Sequence, residues 1–135
     1  MDERSRHSHI IRVVEADIDA LGHVNNTVYL RYVEACVSAH AERVGMGLEQ
    51  IRELGMLPVV RRHTITYHRP ALAGDELEIS TRIIRFEGFR ATRLGEVRRD
   101  GALLAECETE WIWIDALRLR PKAVPKEIQA AFGLA

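Results

Sequence analysis

The residues whose types and spacing could do chemistry lie together in one polar stretch, EADIDALGHVNN, from position 15 to position 26. It contains two aspartates, Asp17 and Asp19, and one imidazole, His23, shortly before Asn25 and Asn26. A carboxylate can attack a carbonyl carbon or activate a water molecule, and an imidazole can also move protons. Aspartates are equally common in turns, so the stretch predicts either a catalytic loop or a simple turn.

The elements on both sides place this stretch between a strand and a long helix. The apolar run from Ile10 to Val14 predicts a strand. From Thr27 to about Val44, apolar side chains recur every three or four residues, which predicts a helix with Asn25 or Asn26 as its N-cap. The apolar face of that helix would carry Val28, Tyr29, Tyr32, Val33, Cys36, Val37 and His40.

Small residues on this helix predict how closely it approaches a sheet. Ala35, Ala39 and Ala41 would let a sheet come close to the helix axis. Gly45 and Gly47 predict its end, because glycine favours the backbone conformation that terminates helices. A second, shorter helix is predicted over positions 48–54.

The rest of the chain has the patterns of β-strands. One strand is predicted from Leu57 to His68, and another where apolar and polar residues alternate between positions 77 and 83. Segments 89–98 and 103–114 predict a hairpin across the turn dipeptide Asp100-Gly101. A last short helix is predicted from Pro125 to Phe132. A single antiparallel sheet needs the long helix to cover its apolar face, which predicts the α+β class.

Length and composition exclude several classes of protein. The 135 residues predict a single domain over positions 1–135, and the net charge of −1 argues against a nucleic-acid partner. Cys36 and Cys107 lie in apolar stretches without metal-ligand spacing, which predicts buried thiols in a reducing compartment. The charged N-terminus and the lack of a long apolar run predict a cytoplasmic protein with no membrane partner. We expect no metal and no cofactor, since no ligand cluster or phosphate-binding loop is present.

Three segments carry a resemblance to a known family. The segment DIDALGHVNNTVYLRYVEA, from Asp17 to Ala35, resembles the signature of hot-dog-fold thioesterases, in particular the group containing the 4-hydroxybenzoyl-CoA thioesterases. The segments ITYHRPALAGDELEIS, from Ile65 to Ser80, and LRLRPKAVPKEI near the C-terminus are similar to later parts of the same family. The resemblance implies a hot-dog fold, a long central α-helix wrapped by a five-stranded antiparallel β-sheet. It also implies a homodimer, possibly a tetramer, with sites at the subunit interface.

The resemblance implies a role for the loop and the start of the helix. Asp19 matches the family's nucleophile or general base, whereas Asp17 is expected to order the loop. The backbone N–H at Asn26 is expected to bind the thioester oxygen, since the start of a helix presents unpaired donors. These roles would make the chain an acyl-CoA thioesterase, with coenzyme A as part of the substrate rather than a cofactor.

Several polar residues close to Asp19 in the sequence could have either a catalytic or a structural role. His23 would polarise the carbonyl or simply bond to the loop backbone, and Asn25 would hold a water molecule or cap the helix. Tyr29 is expected to pack one turn into the helix and to line the substrate site. Glu34, in mid-helix, is expected to be a structural partner of an arginine, and it is the next candidate if Asp19 has no catalytic role.

The carrier of the acyl group is less defined by the sequence. Arginines that could bind the phosphates of coenzyme A are spread over the strands, and among them we expect Arg62 and Arg85 to do so. Leu21 stands where the plant acyl-carrier-protein enzymes have an asparagine, which disfavours that specificity. The alternatives are an acyl-ACP thioesterase of a biosynthetic pathway and a non-catalytic acyl-CoA-binding dimer.

Overall fold

The computed structural model of the chain describes residues 2–134. Its helices are α1, Asn26–Arg43, α2, Leu48–Glu53, and α3, Lys126–Ala131. Short 3-10 turns span Glu3–Ser5 and Glu15–Asp17. The strands are β1, Arg6–Arg12, β2, Met56–Tyr67, β3, Glu76–Glu87, β4, Arg90–Arg99, and β5, Ala102–Asp115.

All five strands form one antiparallel sheet in the order β1-β3-β4-β5-β2. The hairpin between β4 and β5 turns at Asp100 and Gly101, whose φ angles of 51° and 82° are those of the predicted tight turn. The sheet wraps around α1, which contacts β1, β3, β4 and β5. The predicted α+β architecture, a long helix wrapped by a five-stranded antiparallel sheet, is confirmed.

The first strand lies earlier than the apolar run predicted. It spans Arg6–Arg12, and its exposure alternates residue by residue because only one of its faces is covered. Val13 is buried but lies beyond the strand, where its N–H donates to the carbonyl of Asp75 at 2.9 Å. The start of β1 was not predicted because its first residues are polar, and the apolar run coincides only with the end of the strand.

The core divides into two clusters along α1. Residues from the first half of α1, including Tyr29 and Val33, pack against β1, β3, β4 and β5. The second cluster joins Met46, Ile51, Trp113 and Phe132 beneath the other end of the fold. No helix among residues 2–134 is long and apolar enough to cross a membrane.

Helix and sheet approach each other closely at Gly95 on β4. A Cβ atom placed there would lie 2.5 Å from Cγ1 of Val33, so only glycine fits without a shift. Of the helix alanines predicted to allow a close approach, Ala35 is exposed, and at this point the glycine of the sheet makes the approach possible. Ala39 and Ala41 are half-buried, and Ala41 packs against the second core cluster, so small residues are present on both the strand and the helix.

Candidate active site

Asp17 fastens the loop between β1 and α1 to the helix. Its buried carboxylate accepts a hydrogen bond from the hydroxyl of Tyr32 at 2.8 Å and forms an ion pair with Arg31. Its carbonyl accepts from the N–H of Asn25 at 2.9 Å. The prediction that Asp17 orders the loop is confirmed by these contacts.

Asp19 and His23 face each other across a tight turn. The N–H of Asp19 donates to the carbonyl of His23 at 2.9 Å, and the N–H of Gly22 donates back to the carbonyl of Asp19 at 3.0 Å. Gly22 has a φ of 81°, which the turn requires and which glycine adopts without strain. One carboxylate oxygen of Asp19 accepts from the N–H of Leu21 at 2.9 Å, so Asp19 shapes the turn even as its side chain stays half-buried.

The start of α1 presents one unpaired backbone donor. Asn25 is the N-cap, since its side-chain oxygen accepts from the N–H of Thr27 at 3.0 Å, which confirms the capping interpretation. Its carbonyl accepts from the N–H of Val28 at 2.9 Å. Within residues 2–134 the N–H of Asn26 has no acceptor. That N–H lies at the positive end of the helix dipole, where an anion is stabilised.

A cavity of about 190 Å³ lies beside this donor. Eight residues line it, namely His23, Val24, Asn26, Tyr29, Tyr67, His68, Arg69 and Pro70. Asp19 does not line it but lies on the adjoining turn, paired with His23 through the backbone. The open space and the free N–H could together accommodate the carbonyl group of a bound ester or thioester.

Two tyrosines hold the cavity's walls. Tyr29 is buried, and its hydroxyl accepts from the N–H of Ala71 at 2.9 Å. Its ring lies edge-on to that of Tyr67, with centroids 5.3 Å apart, and the Tyr67 hydroxyl donates to the carbonyl of Asn26 at 2.7 Å. Burial raises the pKa of Tyr67 above its usual value, so its hydroxyl is protonated and can donate this bond.

Sequence reasoning missed Tyr67 and His68 as neighbours of the helix start. Both lie at the end of β2, in the segment 65–80 that resembles the family. Their place in that segment was the only feature of the sequence that could have indicated a role in the site. His68 contacts Glu106 at 3.1 Å through its Nε2 atom. The site is therefore built from two segments, the loop before α1 and the end of β2.

Arg62 and Arg85 lie away from this cavity within one chain. They belong to one row of paired residues across four strands, in which Arg62 pairs with Glu110, Glu110 with Thr92, and Thr92 with Arg85. Tyr67 lies five positions further along β2, a distance of roughly 16 Å. Arg85 also pairs with Glu87 at 2.6 Å. Binding of coenzyme A by these arginines stays a prediction.

Glu34 has a histidine as its neighbour rather than the expected arginine. Its carboxylate lies 3.8 Å from Nε2 of His63, whose Nδ1 contacts the Thr109 hydroxyl at 2.8 Å. Thr109 in turn contacts the sulfur of Cys107 at 3.4 Å. The arginine expectation for Glu34 was wrong because β2 places His63, not an arginine, opposite this turn of α1.

The cysteines are buried free thiols, as predicted. Burial raises the pKa of Cys36 to about 11 and also raises the pKa of Cys107. A thiol with a raised pKa holds little of the reactive thiolate at neutral pH, so neither is a nucleophile. Among residues 2–134, no group of His, Cys, Asp or Glu side chains could hold a metal ion.

Comparison with known proteins identifies the family. Residues 13–132 match the sequence profile of the thioesterase-like superfamily. The acyl-CoA thioester hydrolase YbgC of Escherichia coli O6:H1 is 30% identical over 123 residues, covering 90% of this chain and 92% of that protein. The chloroplastic acyl-acyl carrier protein thioesterase ATL2 of Arabidopsis thaliana is 25% identical over 130 residues, covering 91% of this chain and 66% of that protein.

A solved structure shows the same fold. Slr0204, a 1,4-dihydroxy-2-naphthoyl-CoA thioesterase from Synechocystis, superposes with a TM-score of 0.85 at 21% identity, covering 94% of this chain and 95% of that one. A helix wrapped by a five-stranded sheet, with a polar loop at the start of the helix, defines a hot-dog-fold protein. This chain belongs to the thioesterase-like superfamily. The prediction of a thioester hydrolase is confirmed at the level of the family.

Proposed function

We propose that this protein hydrolyses acyl-CoA thioesters to a free acid and coenzyme A. The observation that carries the proposal is the unpaired N–H of Asn26 at the start of an 18-residue helix, beside a cavity of about 190 Å³. Asp19 and His23 lie on the adjoining turn. An anion-stabilising donor next to a carboxylate is what hydrolysis of a thioester carbonyl requires.

The reaction would use the donor and the carboxylate in turn. The N–H of Asn26 would donate to the carbonyl oxygen as negative charge develops on it. Asp19 would either attack the carbonyl carbon itself or remove a proton from the attacking water molecule. If water attacks, the carbon–sulfur bond of the tetrahedral intermediate breaks, the free acid is released, and the thiolate of coenzyme A takes up the proton that Asp19 removed from the water. If Asp19 attacks, breakage of the carbon–sulfur bond releases the thiolate, which takes up a proton from solvent, and leaves a mixed anhydride on Asp19. A water molecule then hydrolyses that anhydride to the free acid and the regenerated carboxylate. His23 would help to orient the carboxylate, while Asn25 holds the helix start in place.

The proposal that coenzyme A carries the acyl group rests on the comparisons and on Leu21, which replaces the asparagine of the plant acyl-carrier-protein enzymes. Similarity to the YbgC hydrolase over most of both chains favours an acyl-CoA. The acyl-carrier-protein thioesterase relative is less similar, which keeps an acyl-ACP substrate as the second candidate. Release of free thiol from matched acyl-CoA and acyl-ACP substrates distinguishes the two. A protein that binds acyl-CoA without releasing thiol would instead be the non-catalytic dimer.

We propose a homodimer formed through β2, with a tetramer as a further assembly. Strand β2 is an edge of the sheet and is 12 residues long, and an uncovered edge strand of this length is a template for pairing. Val59 and Tyr67 on it are 45% and 43% exposed. A second copy could bring its own arginines to the cavity. Sedimentation that shows a stable, active monomer at micromolar concentration would contradict this assembly.

The backbone donor can be removed without removing the helix. Proline is well tolerated at the first position of a helix and has no N–H, and Asn25 already has the extended backbone that proline requires before it. Asn26→Pro should therefore lower kcat by about 100-fold to 1000-fold with the fold intact. Asn26→Ala keeps the N–H and is the matched control, with kcat changed only a few-fold. Equal losses in both variants would contradict the role of the Asn26 N–H.

The carboxylate is tested by Asp19→Asn, which keeps the shape but removes the charge. We expect kcat to fall at least ~100-fold with little change in KM, since a positioned acid–base group contributes about that much. Glu15→Gln changes an exposed carboxylate in the same loop and should leave kcat unchanged. Activity should persist in EDTA, because the mechanism uses no metal. If Asp19→Asn and Glu15→Gln both retain full activity, the catalytic carboxylate lies elsewhere, with Glu34 the next candidate.

A further inference from the structure

The first residue of α1 is held by a side chain from the end of β2. The hydroxyl of Tyr67 donates to the carbonyl of Asn26 at 2.7 Å, across 41 positions of sequence. In a helix that begins at Asn26, that carbonyl also accepts the N–H of Leu30, four residues further on. One carbonyl of the first turn therefore receives two hydrogen bonds, one from the helix itself and one from the sheet.

The first turn of a helix is the part that opens most easily. Helix ends fray, because several of their backbone groups have no partner within the helix. At the start of α1, the side chain of Asn25 holds the N–H of Thr27, and the Asn25 carbonyl holds the N–H of Val28. Both of these bonds lie within positions 25–28, whereas the bond from Tyr67 joins the turn to the sheet.

The ring of Tyr67 is placed by its neighbours, so that its hydroxyl reaches this carbonyl. It packs edge-on against Tyr29, with centroids 5.3 Å apart, and the hydroxyl of Tyr29 accepts from the N–H of Ala71 at 2.9 Å. The carbonyl of Ala71 accepts from the N–H of Val24, also at 2.9 Å. The segment after β2 is thus bonded to the chain before Asn26, at Val24, and after it, at Tyr29.

The hydroxyl of Tyr67 has no second proton to offer a substrate. The residue lines the cavity, but a phenolic hydroxyl has one donor, and that donor is used in the bond to Asn26. An effect of this hydroxyl on hydrolysis is therefore expected to pass through Asn26.

We propose that Tyr67 is a positioning residue, which keeps the N–H of Asn26 in place beside the cavity by holding the first turn of α1 against the end of β2. The inference rests on the hydrolysis proposed above, in which that N–H binds the carbonyl oxygen of the thioester. A donor lowers the barrier only at hydrogen-bond distance from the developing oxyanion, and a misplacement of about 1 Å can cost a hundredfold in rate. The hydroxyl contributes to the rate without touching the reacting atoms.

The hydroxyl can be removed while the ring stays. Tyr67→Phe should lower kcat for acyl-CoA hydrolysis about tenfold, because the donor is displaced rather than lost, and should change KM by less than about twofold. Thr66→Val removes a hydroxyl from the preceding residue of β2, which is exposed and does not line the cavity, and should leave kcat unchanged. If Tyr67→Phe keeps kcat within about twofold of the wild type, the proposal is overturned.

A double-mutant cycle shows whether the hydroxyl acts through the N–H. Asn26→Pro lacks the N–H but keeps the carbonyl to which Tyr67 donates. In that background, Tyr67→Phe should lower kcat by less than about twofold, against about tenfold in the wild-type background. A loss of the same factor in both backgrounds would mean that the hydroxyl acts on the substrate or on the whole fold, and would refute a positioning role.

Hydrogen exchange tests the same contact without any measurement of hydrolysis. Exchange of the Leu30 N–H for deuterium, followed by NMR, reports the opening of the first turn, since the helix bonds that N–H to the Asn26 carbonyl. Exchange at Leu30 should become several-fold faster in Tyr67→Phe and stay unchanged in Thr66→Val, while the amide of Val37, in the middle of α1, should keep its rate in both variants.

The exchange rate also separates the failure of this inference from the failure of the proposed function. Unchanged exchange at Leu30 in Tyr67→Phe would overturn the role of Tyr67 even in a protein that hydrolyses acyl-CoA. If no acyl-CoA is hydrolysed, the proposed function fails, and the exchange rate alone decides whether Tyr67 holds the start of the helix.

Discussion

Replacing Gly95 by alanine tests how α1 is seated on the sheet. The new Cβ would lie 2.5 Å from Cγ1 and 3.2 Å from Cγ2 of Val33. Val33 is buried, and a β-branched side chain in a helix has one strongly preferred rotamer, so it cannot turn away. Helix and strand must therefore separate by several tenths of an ångström. Overpacking of this kind costs about 1–3 kcal/mol of unfolding free energy.

A smaller loss of backbone entropy on folding partly offsets this destabilisation. Gly95 does not have a positive φ, so alanine can adopt its backbone conformation. Replacing such a glycine stabilises by about 0.4–1 kcal/mol, because the unfolded chain loses freedom. The net prediction for Gly95→Ala is a loss of about 1–2 kcal/mol in the unfolding free energy, measured from denaturant midpoints by circular dichroism.

The cause can be isolated with a double-mutant cycle. Val33→Ala alone removes two buried methyl groups and should cost about 2 kcal/mol. In the double variant, the methyl group introduced at position 95 fills the space that Val33 leaves, so the total cost should be at least about 1 kcal/mol less than the sum of the two singles. Val59→Ala on β2 is the control, and its effect should simply add to that of Gly95→Ala. Additivity with Val33→Ala, or a stabilised Gly95→Ala, would refute the steric argument.

Two further perturbations follow from buried polar groups. Asp17→Asn removes the charge that pairs with Arg31 and should lower the unfolding free energy by about 1–3 kcal/mol. If the folded variant loses as much kcat as Asp19→Asn does, the purely structural role of Asp17 is contradicted. His40 has its pKa lowered from 6.5 to about 4 by burial, so the unfolded state takes up its proton first as the pH falls. The free energy of unfolding should therefore fall by about 3 kcal/mol as the pH is lowered from 6.5 to 4. The pH slope should weaken in His40→Gln but not in His68→Gln, and equal slopes in all three proteins would contradict this assignment.

Most of the architecture could be predicted because it depends on local periodicity. The long helix was predicted to within a residue or two, since the face of α1 that faces the sheet is apolar at regular spacing. The turn at Asp100-Gly101 followed from its dipeptide alone. The start of β1 and the contact of Gly95 with Val33 could not be predicted, because both depend on which neighbour lies across the sheet or beneath the helix.

The site residues also divide into those that local sequence could predict and those that depend on contacts between distant segments. Positions 17–29 were predicted together because they are contiguous in the sequence, and the structure keeps them together around the helix start. The positions of Arg62 and Arg85 could not be predicted, because each follows a register shift, between Val60 and Arg62 and between Ile83 and Arg85. A shift of one residue moves a side chain to the opposite face of a sheet, and no pattern in a single sequence locates such a shift.

The contact of Val33 with Gly95 also bears on the proposed active site. Asn26 and Val33 both belong to α1 and are seven positions apart, a separation of roughly 10 Å along the helix axis. A Cβ atom at position 95 would collide with Val33 and would have to move the helix away from the strand. The contact between α1 and β4 is thus one through which the start of the helix, and with it the N–H of Asn26, is positioned.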